Sequence, residues 1–468
     1  MPWNYPSYSP PRGITGILRS FGPGAILASA TIGAGETILA VRAGAWGGYD
    51  LLWLIFLACL TKSFFLLWFL GRYAALTGDN VAARLKEFPG PPGWLLVFIL
   101  FADLVPAGPV FAAIASPCGK LIADILASSF PSLTGLLADP RTWGIAFALL
   151  AIGLAVIQKY DFLEKQQVFV CLVLLLAVIL STLLVHPSLK SIVVGLLSFG
   201  KVPNVPHWAA HAVHADRIGL ELATVFGYAG NIAMGYIVYA DFVREKRWGV
   251  YAATEPPPEP SALPMDEENL ARARAGLIPL WGDLAVTSLL IFLVTGAFLI
   301  AGAAILNPRQ MLPAGFDLLS KQATIFSTIS PYLIPVYYVA ILFALWGTLN
   351  SLPEIYARVT RDFLAVLAPE RFRNLQLSTV MRILGAYFAV CVVVLIARGT
   401  KPMAMIHFVG LYSTNLGVAA AMAAALWLDR RLPRPLRSSP FFFVMGLLSF
   451  LVIAVFSGIS AYHQWFVS

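Results

Sequence analysis

Apolar residues in this chain neither alternate with polar ones nor form a narrow stripe; they run. Eleven runs stand at about 21–46, 50–71, 92–117, 142–158, 166–186, 218–241, 278–303, 330–350, 380–397, 403–428 and 440–461. Each has roughly the 17–25 residues needed to cross about 30 Å of hydrocarbon as a helix. A run that is apolar on every side predicts a helix surrounded by lipid, because a lone spanning segment must satisfy its own backbone. The expectation is an all-α polytopic membrane protein.

Two runs are interrupted. In the first, Ala30-Thr-Ile-Gly-Ala-Gly-Glu36 places two glycines and a carboxylate near the centre. A charge at that depth costs at least about 2.5–3.5 kcal/mol on insertion scales, and the glycines weaken helix propagation at the same point. In the sixth, Gly227-Tyr-Ala-Gly-Asn-Ile-Ala-Met-Gly-Tyr236 repeats the device. Gly-broken spans in matching positions of two halves predict an inverted-repeat carrier with spans 1 and 6 broken at mid-membrane. The divisions expected are a cytoplasmic segment 1–20, a first repeat 21–186 (spans 1–5) and an outer loop 187–217. A second repeat 218–428 (spans 6–10) holds a cytoplasmic loop 245–277, and 429–468 carry span 11.

Composition agrees. Of 468 residues, 59% are hydrophobic and 12% charged, with a mean hydropathy of +0.78; soluble domains carry about twice that charge. With the N-terminus inside, 21 Lys and Arg fall in cytoplasmic segments and 10 in outer ones. That asymmetry orients the chain, placing the C-terminus outside a plasma or inner membrane. The net charge of +8 is then topology and gives no reason to expect nucleic acid. The Pro- and Tyr-rich residues 1–20 lack the layout of a cleaved signal. Cys59, Cys118, Cys171 and Cys391 follow no metal or disulfide spacing and read as buried small hydrophobes. No phosphate-loop pattern occurs, nor any nucleophile and base constellation, so neither an ATP-driven pump nor an enzyme is expected.

Several motifs carry a resemblance. Gly22-Pro23-Gly24, the Ile-Gly-Ala-Gly-Glu segment, Arg42-Ala-Gly-Ala-Trp-Gly-Gly-Tyr-Asp-Leu-Leu-Trp53 and Arg72-Tyr-Ala-Ala-Leu-Thr-Gly78 resemble the first two spans of the NRAMP divalent-metal transporters. The resemblance implies a LeuT-type fold of 5+5 inverted spans plus one, and proton-linked import of a metal such as manganese or iron. The family's first-span Asp-Pro-Gly-Asn falls on Gly33, Ala34, Gly35 and Glu36, so its Asp is gone and its Asn has become Glu. Its sixth-span Met-Pro-His falls on Met234-Gly235-Tyr236, which keeps the metal-binding Met and loses the His. Asp103 and Arg382 match ionisable positions of the family's third and ninth spans. The chain resembles a divergent branch.

The residues present supply a mixed donor set. Glu36 offers a carboxylate and Met234 a thioether, with carbonyls near Gly33, Ala34, Gly230 and Ala233 and the amide of Asn231. A thioether favours late or borderline transition metals over magnesium and calcium. Thr31, Thr37, Tyr236, Asn350, Ser413, Thr414 and Asn415 are further polar groups for a permeation path. Asp103 and Arg382 are candidates for a buried ion pair or proton relay. Lys62, near mid-span, is either a fixed cation standing in for a coupling ion or a snorkelling side chain. His207, His211 and His214 would share one face if helical; a loop helix with solvated histidines is the first reading, and a metal site at the mouth the second.

The expected protein is therefore a secondary transporter of divalent metal, with the ion as substrate, no permanent cofactor and the bilayer as its partner. An organic-solute carrier of the same fold and a non-transporting sensor are the other readings, since one fold serves several chemistries.

Overall fold

The computed structural model describes residues 3–8, 22–31, 33, 35–130, 132, 134–157, 165, 169, 184 and 186–467, excepting the side chains of Ser29, Ala30, Glu36, Ser261, Thr328 and Ile329. Every regular element among them is helical. Among the described residues eight helical stretches are long and apolar enough to cross a bilayer. A bent pair, Ala215–Ile237 and Tyr239–Ala252 meeting at 56°, makes a ninth. Thr37–Thr77, counted as one stretch of 41 residues, takes in the end of the first predicted run and all of the second. The predicted fifth span lies almost wholly outside the described residues.

The helices that position the site are α1 (Pro23–Thr31), α2 (Val41–Gly47), α3 (Leu52–Ala58), α4 (Leu67–Thr77), α5 (Trp94–Ser129) and α6 (Pro140–Ile157). They continue as α7 (Ile218–Tyr228), α8 (Ala233–Ile237), α9 (Tyr239–Glu245), α10 (Ile278–Ala301) and α11 (Leu333–Leu367). The last are α12 (Leu377–Ala397), α13 (Pro402–Val409), α14 (Val418–Arg431) and α15 (Pro440–Phe466). Gly48, at φ +62, closes α2 and turns the chain toward α3, a conformation open to glycine without a Cβ penalty.

Two groups of helices pack separately and meet at the interruptions. Helices α5, α6, α11 and α12 form one group. Its closest approach is at Gly119, where a Cβ would lie 2.3 Å from the Pro140 carbonyl and 2.4 Å from the Gly144 nitrogen. Helix α10 lies along α1, α2 and α3 in the other group. Here Gly44 and Gly302 face opposite backbones, with would-be Cβ atoms 2.0 Å from Leu299 O and 2.2 Å from Val41 O. Small residues at crossings are how membrane helices gain dispersion contact when no hydrophobic force drives them together. Helix α11 touches α1 and α8 across the two groups. The outward faces carry Phe101, Val105, Val339, Val390, Leu451 and Val455, each at least half exposed, as a lipid solvent requires.

Three local devices anchor the ends. The buried Asp283 of α10 accepts the backbone N–H of Gly22 at 3.1 Å and that of Gly24 at 3.0 Å, so a carboxylate meets the positive start of α1. Tyr239 Oη donates to the same carboxylate at 2.6 Å, joining α9 to that corner. Among the described residues four π-helical turns occur, at Gly35–Ala40, Cys59–Leu66, Gly302–Leu306 and Gly410–Gly417. Three of them carry predicted site residues, Glu36 and Thr37, Lys62, and Ser413 to Asn415, in keeping with the tendency of π-turns to mark functional sites.

Candidate polar centre at the helix interruptions

Helical structure stops at Tyr228 and resumes at Ala233; Ala229 still donates to Val225 O and Ile232 O accepts from Tyr236 N–H, while Gly230 and Asn231 lie between the two helical ends. Backbone freed inside an apolar region must find other partners, and two side chains supply them here. The N–H of Asn231 donates to Tyr236 Oη at 2.8 Å, and that of Ile232 to Asn231 Oδ1 at 2.8 Å. Asn231 Nδ2 reaches across to the Leu27 carbonyl at 3.3 Å, tying the gap to α1. Gly235 leaves room for the Asn231 amide, since a Cβ there would sit 2.3 Å from Oδ1.

Helix α1 ends at Thr31, and the next described helical turn starts at Gly35. Gly33 donates to Thr31 O at 2.6 Å, and its own carbonyl accepts both the N–H of Thr37 at 3.0 Å and Thr37 Oγ1 at 2.6 Å. The Gly33 carbonyl is thus engaged by Thr37. Gly33 presses against α11, where a Cβ would lie 2.1 Å from Thr348 Oγ1. Ala34 and the Glu36 side chain fall outside the described residues; the Glu36 backbone belongs to the π-turn Gly35–Ala40.

The charged candidates go to separate places. Asp103, fully buried on α5, accepts the Met234 N–H through Oδ2 at 2.6 Å, at the start of α8. Arg382 is exposed and donates to Ser378 O of its own helix at 3.2 Å. The expected Asp103–Arg382 pair does not form, because a long guanidinium side chain reaches solvent more cheaply than it crosses a core. Lys62 does not snorkel. It is fully buried in the π-turn Cys59–Leu66 and donates to the carbonyls of Phe226 and, at 2.7 Å, Gly227.

Met234 and Ala233 are fully buried. Ser413 Oγ donates to Ala102 O at 3.0 Å, beside Asp103. Thr414 Oγ1 donates to Gly410 O at 3.1 Å, and Asn415 Nδ2 to Ala223 O at 3.0 Å. Gly227 admits both, with a would-be Cβ 2.3 Å from Thr414 Oγ1 and 2.9 Å from Asn415 Nδ2. Asn350 points away from the gap and donates to Ala151 O of α6 at 3.2 Å. Thr31, Tyr228, Asn231, Thr348 and Thr414 line a small cavity of about 30 Å³ at the gap, enough for about two waters or one ion.

Two features escaped the sequence. Arg42 of α2 forms a buried ion pair with Glu221 of α7 at 3.1 Å and also donates to Pro313 O and Ala212 O, at 2.8 and 2.7 Å. His407 joins them, 3.8 Å from Glu221 and 2.9 Å from Thr224 Oγ1. Nothing local announces a pair 179 positions apart. The outer-loop histidines are not helical: His207–Ala209 and Ala215–Arg217 are separate 3-10 turns, and His207, His211 and His214 are exposed. Among the described residues no group of three metal-binding side chains assembles anywhere.

Fold and site together define a class: a polytopic helical membrane protein with a buried polar centre where helix stops at Tyr228 and resumes at Ala233. The Nramp family profile (natural resistance-associated macrophage protein-like) matches residues 24–463. The chain belongs to the Nramp family. Among solved structures it resembles the Eremococcus coleocola manganese transporter bound to an aromatic bis-isothiourea compound. There the TM-score is 0.64 at 15% identity, over 98% of this chain and 90% of that one. It also resembles a nucleobase-cation-symport-1 family transporter, closed with bromovinylhydantoin bound. That TM-score is 0.52 at 15% identity, over 98% of this chain and 95% of the other. No curated protein sequence matches significantly.

Proposed function

We propose that this protein carries a divalent transition-metal ion through the membrane by alternating access around the polar centre, with the ion as substrate and not a resident cofactor. The observation that carries the reading is the interrupted sixth run, which in a Nramp-family chain keeps Met234 at the resumption of the helix. Glu36 supplies the anionic ligand in place of the family's Asp, and Met234 the soft one. Carbonyls near Ala34, Gly230 and Ala233, with the Asn231 amide, complete the shell. The Gly33 carbonyl contributes only if Thr37 releases it.

The scaffold is the LeuT type, eleven spans in a 5+5 inverted repeat plus one, with the N-terminus cytoplasmic and the C-terminus outside. Spans 1 and 6 break at mid-membrane, and the chain is a carrier with no catalytic step. Protons couple through Asp103, without Arg382 as its partner.

Two observations weigh against an organic solute. The cavity has room for an ion or a few waters. The N–H of Met234, where a solute carboxylate would dock, already holds Asp103. Titration calorimetry of the purified chain with manganese, magnesium and amino acids separates these readings. Saturable heat with manganese alone supports the metal. Saturable heat with an amino acid and none with manganese would overturn it.

A further inference from the structure

The ammonium of Lys62 sits where the first half of the sixth run ends. Helix α7 runs from Ile218 to Tyr228, and its last carbonyls have no intrahelical partners because the chain leaves the helix at Ala229. Those carbonyls form the negative end of a half-helix in an apolar setting, a place that attracts a cation. Lys62 Nζ accepts none of this passively: it donates to Phe226 O and to Gly227 O, and lies 4.6 Å from the centre of the Phe226 ring. That ring is itself held by stacking on Phe456 at 4.1 Å.

Three further features are arranged around the contact. The lysine rises from a π-turn, Cys59–Leu66, which shifts its register on the helix. Gly230 clears its path, since a Cβ there would lie 3.0 Å from Nζ. The opposite side of the gap carries the opposite charge, with Asp103 on the Met234 N–H. Both dipolar ends at the interruption are thus discharged by side chains of the chain itself.

The geometry points to a monovalent-cation site at the carbonyl end of α7, one that takes a primary ammonium and is filled by Lys62 as a tethered ligand. On the proposed function the cargo ion is held by the Glu36 and Met234 groups, and no free monovalent cation is needed at α7. Gly230, which clears the path of Lys62, also lines the small cavity together with Tyr228, the last residue of α7.

The test is chemical rescue, read by thermal unfolding in the absence of divalent metal, so that it stands whether or not the metal reading does. Lys62→Ala removes a propylammonium-sized group. In choline chloride its midpoint should fall by several degrees; propylammonium at equal ionic strength should restore most of that loss, and propanol none. Lys62→Met, of similar length but uncharged, should melt as low as Lys62→Ala and gain nothing from propylammonium, while the native chain is indifferent to it. The inference is overturned if Lys62→Met melts with the native chain, or if propylammonium and choline act alike on Lys62→Ala. Should Lys62→Ala not accumulate, Lys62→Arg at native yield with Lys62→Met absent supports the site, and Lys62→Met at native yield overturns it.

Discussion

The carboxylate of Asp103 accepts the backbone N–H of Met234 at 2.6 Å, and both residues are fully buried. Helix α5 belongs to the group packed with α6 and α12, whereas Met234 starts the short α8 beyond the gap. The proposed soft ligand is therefore positioned from the neighbouring helix group. Any rocking of α8 against α5 must break a charge-assisted bond.

Asp103→Ala removes that acceptor and should cost about 1.5–3 kcal/mol, the usual range for a hydrogen bond to a charged group. Asp103→Asn keeps an acceptor oxygen and should lose less. Thermal unfolding of the two variants checks the order; Ala at native stability contradicts it.

Arg42 and Glu221 join α2 to α7 in a buried pair. Removing one partner leaves an uncompensated charge, worth about 3–5 kcal/mol, whereas an apolar pair of similar size is often tolerated. Glu221→Leu and Arg42→Met should each destabilise strongly, and the double variant should recover much of the loss. A double-mutant cycle on unfolding free energies would refute the coupling if the two effects simply added.

Gly44 and Gly153 make a paired test of helix crossing. A Cβ at Gly44 would stand 2.0 Å from Leu299 O, while nothing lies within 4 Å of one at Gly153. Gly44→Ala should lower the unfolding midpoint, because backbone has to move. Gly153→Ala should leave it level or raise it, alanine being favoured in a helix by about 1 kcal/mol. Equal effects would contradict the close crossing.

Asp266 caps the helix Glu267–Ala275 by accepting the Asn269 N–H at 3.0 Å, and Asn269 in turn accepts the Tyr5 N–H. Its hydrogen bonds with Asn269 hold the carboxyl below its ordinary value. A lowered folded-state pKa means that the contribution is present above the unfolded value of about 3.9 and fades as pH falls through the lowered one. Hydrogen exchange at the Asn269 amide should quicken in that acidic window in the native chain. In Asp266→Asn the step should vanish; a step that persists would assign it elsewhere.

The gap in the sixth run was legible because glycines and polar residues leave local marks in an apolar run. The structure resumes helix at Ala233 after the Gly230–Asn231 pair that flagged it. Partnerships across the fold were not. Lys62 stood out as a buried cation, yet its partners, the Phe226 and Gly227 carbonyls, carry no side-chain signature. Asp103 was paired with Arg382 on charge alone, and a backbone amide took the place of the guanidinium. The histidine triplet is exposed, as the solvated reading expects, but does not share a helix face because its loop is built of 3-10 turns. Asp283 could have been found, being a lone acid in an apolar run just as Glu36 is.

The central claim is that a metal ion crosses at a site rebuilt around Glu36 and Met234. The most direct test is manganese flux into proteoliposomes, comparing the native chain with Glu36→Ala and Met234→Ala, each shown to be folded. Saturable uptake by the native chain, abolished in Glu36→Ala and weakened in Met234→Ala, is the predicted result. Folded native protein that moves no manganese, or Glu36→Ala that moves it at the native rate, would contradict the account.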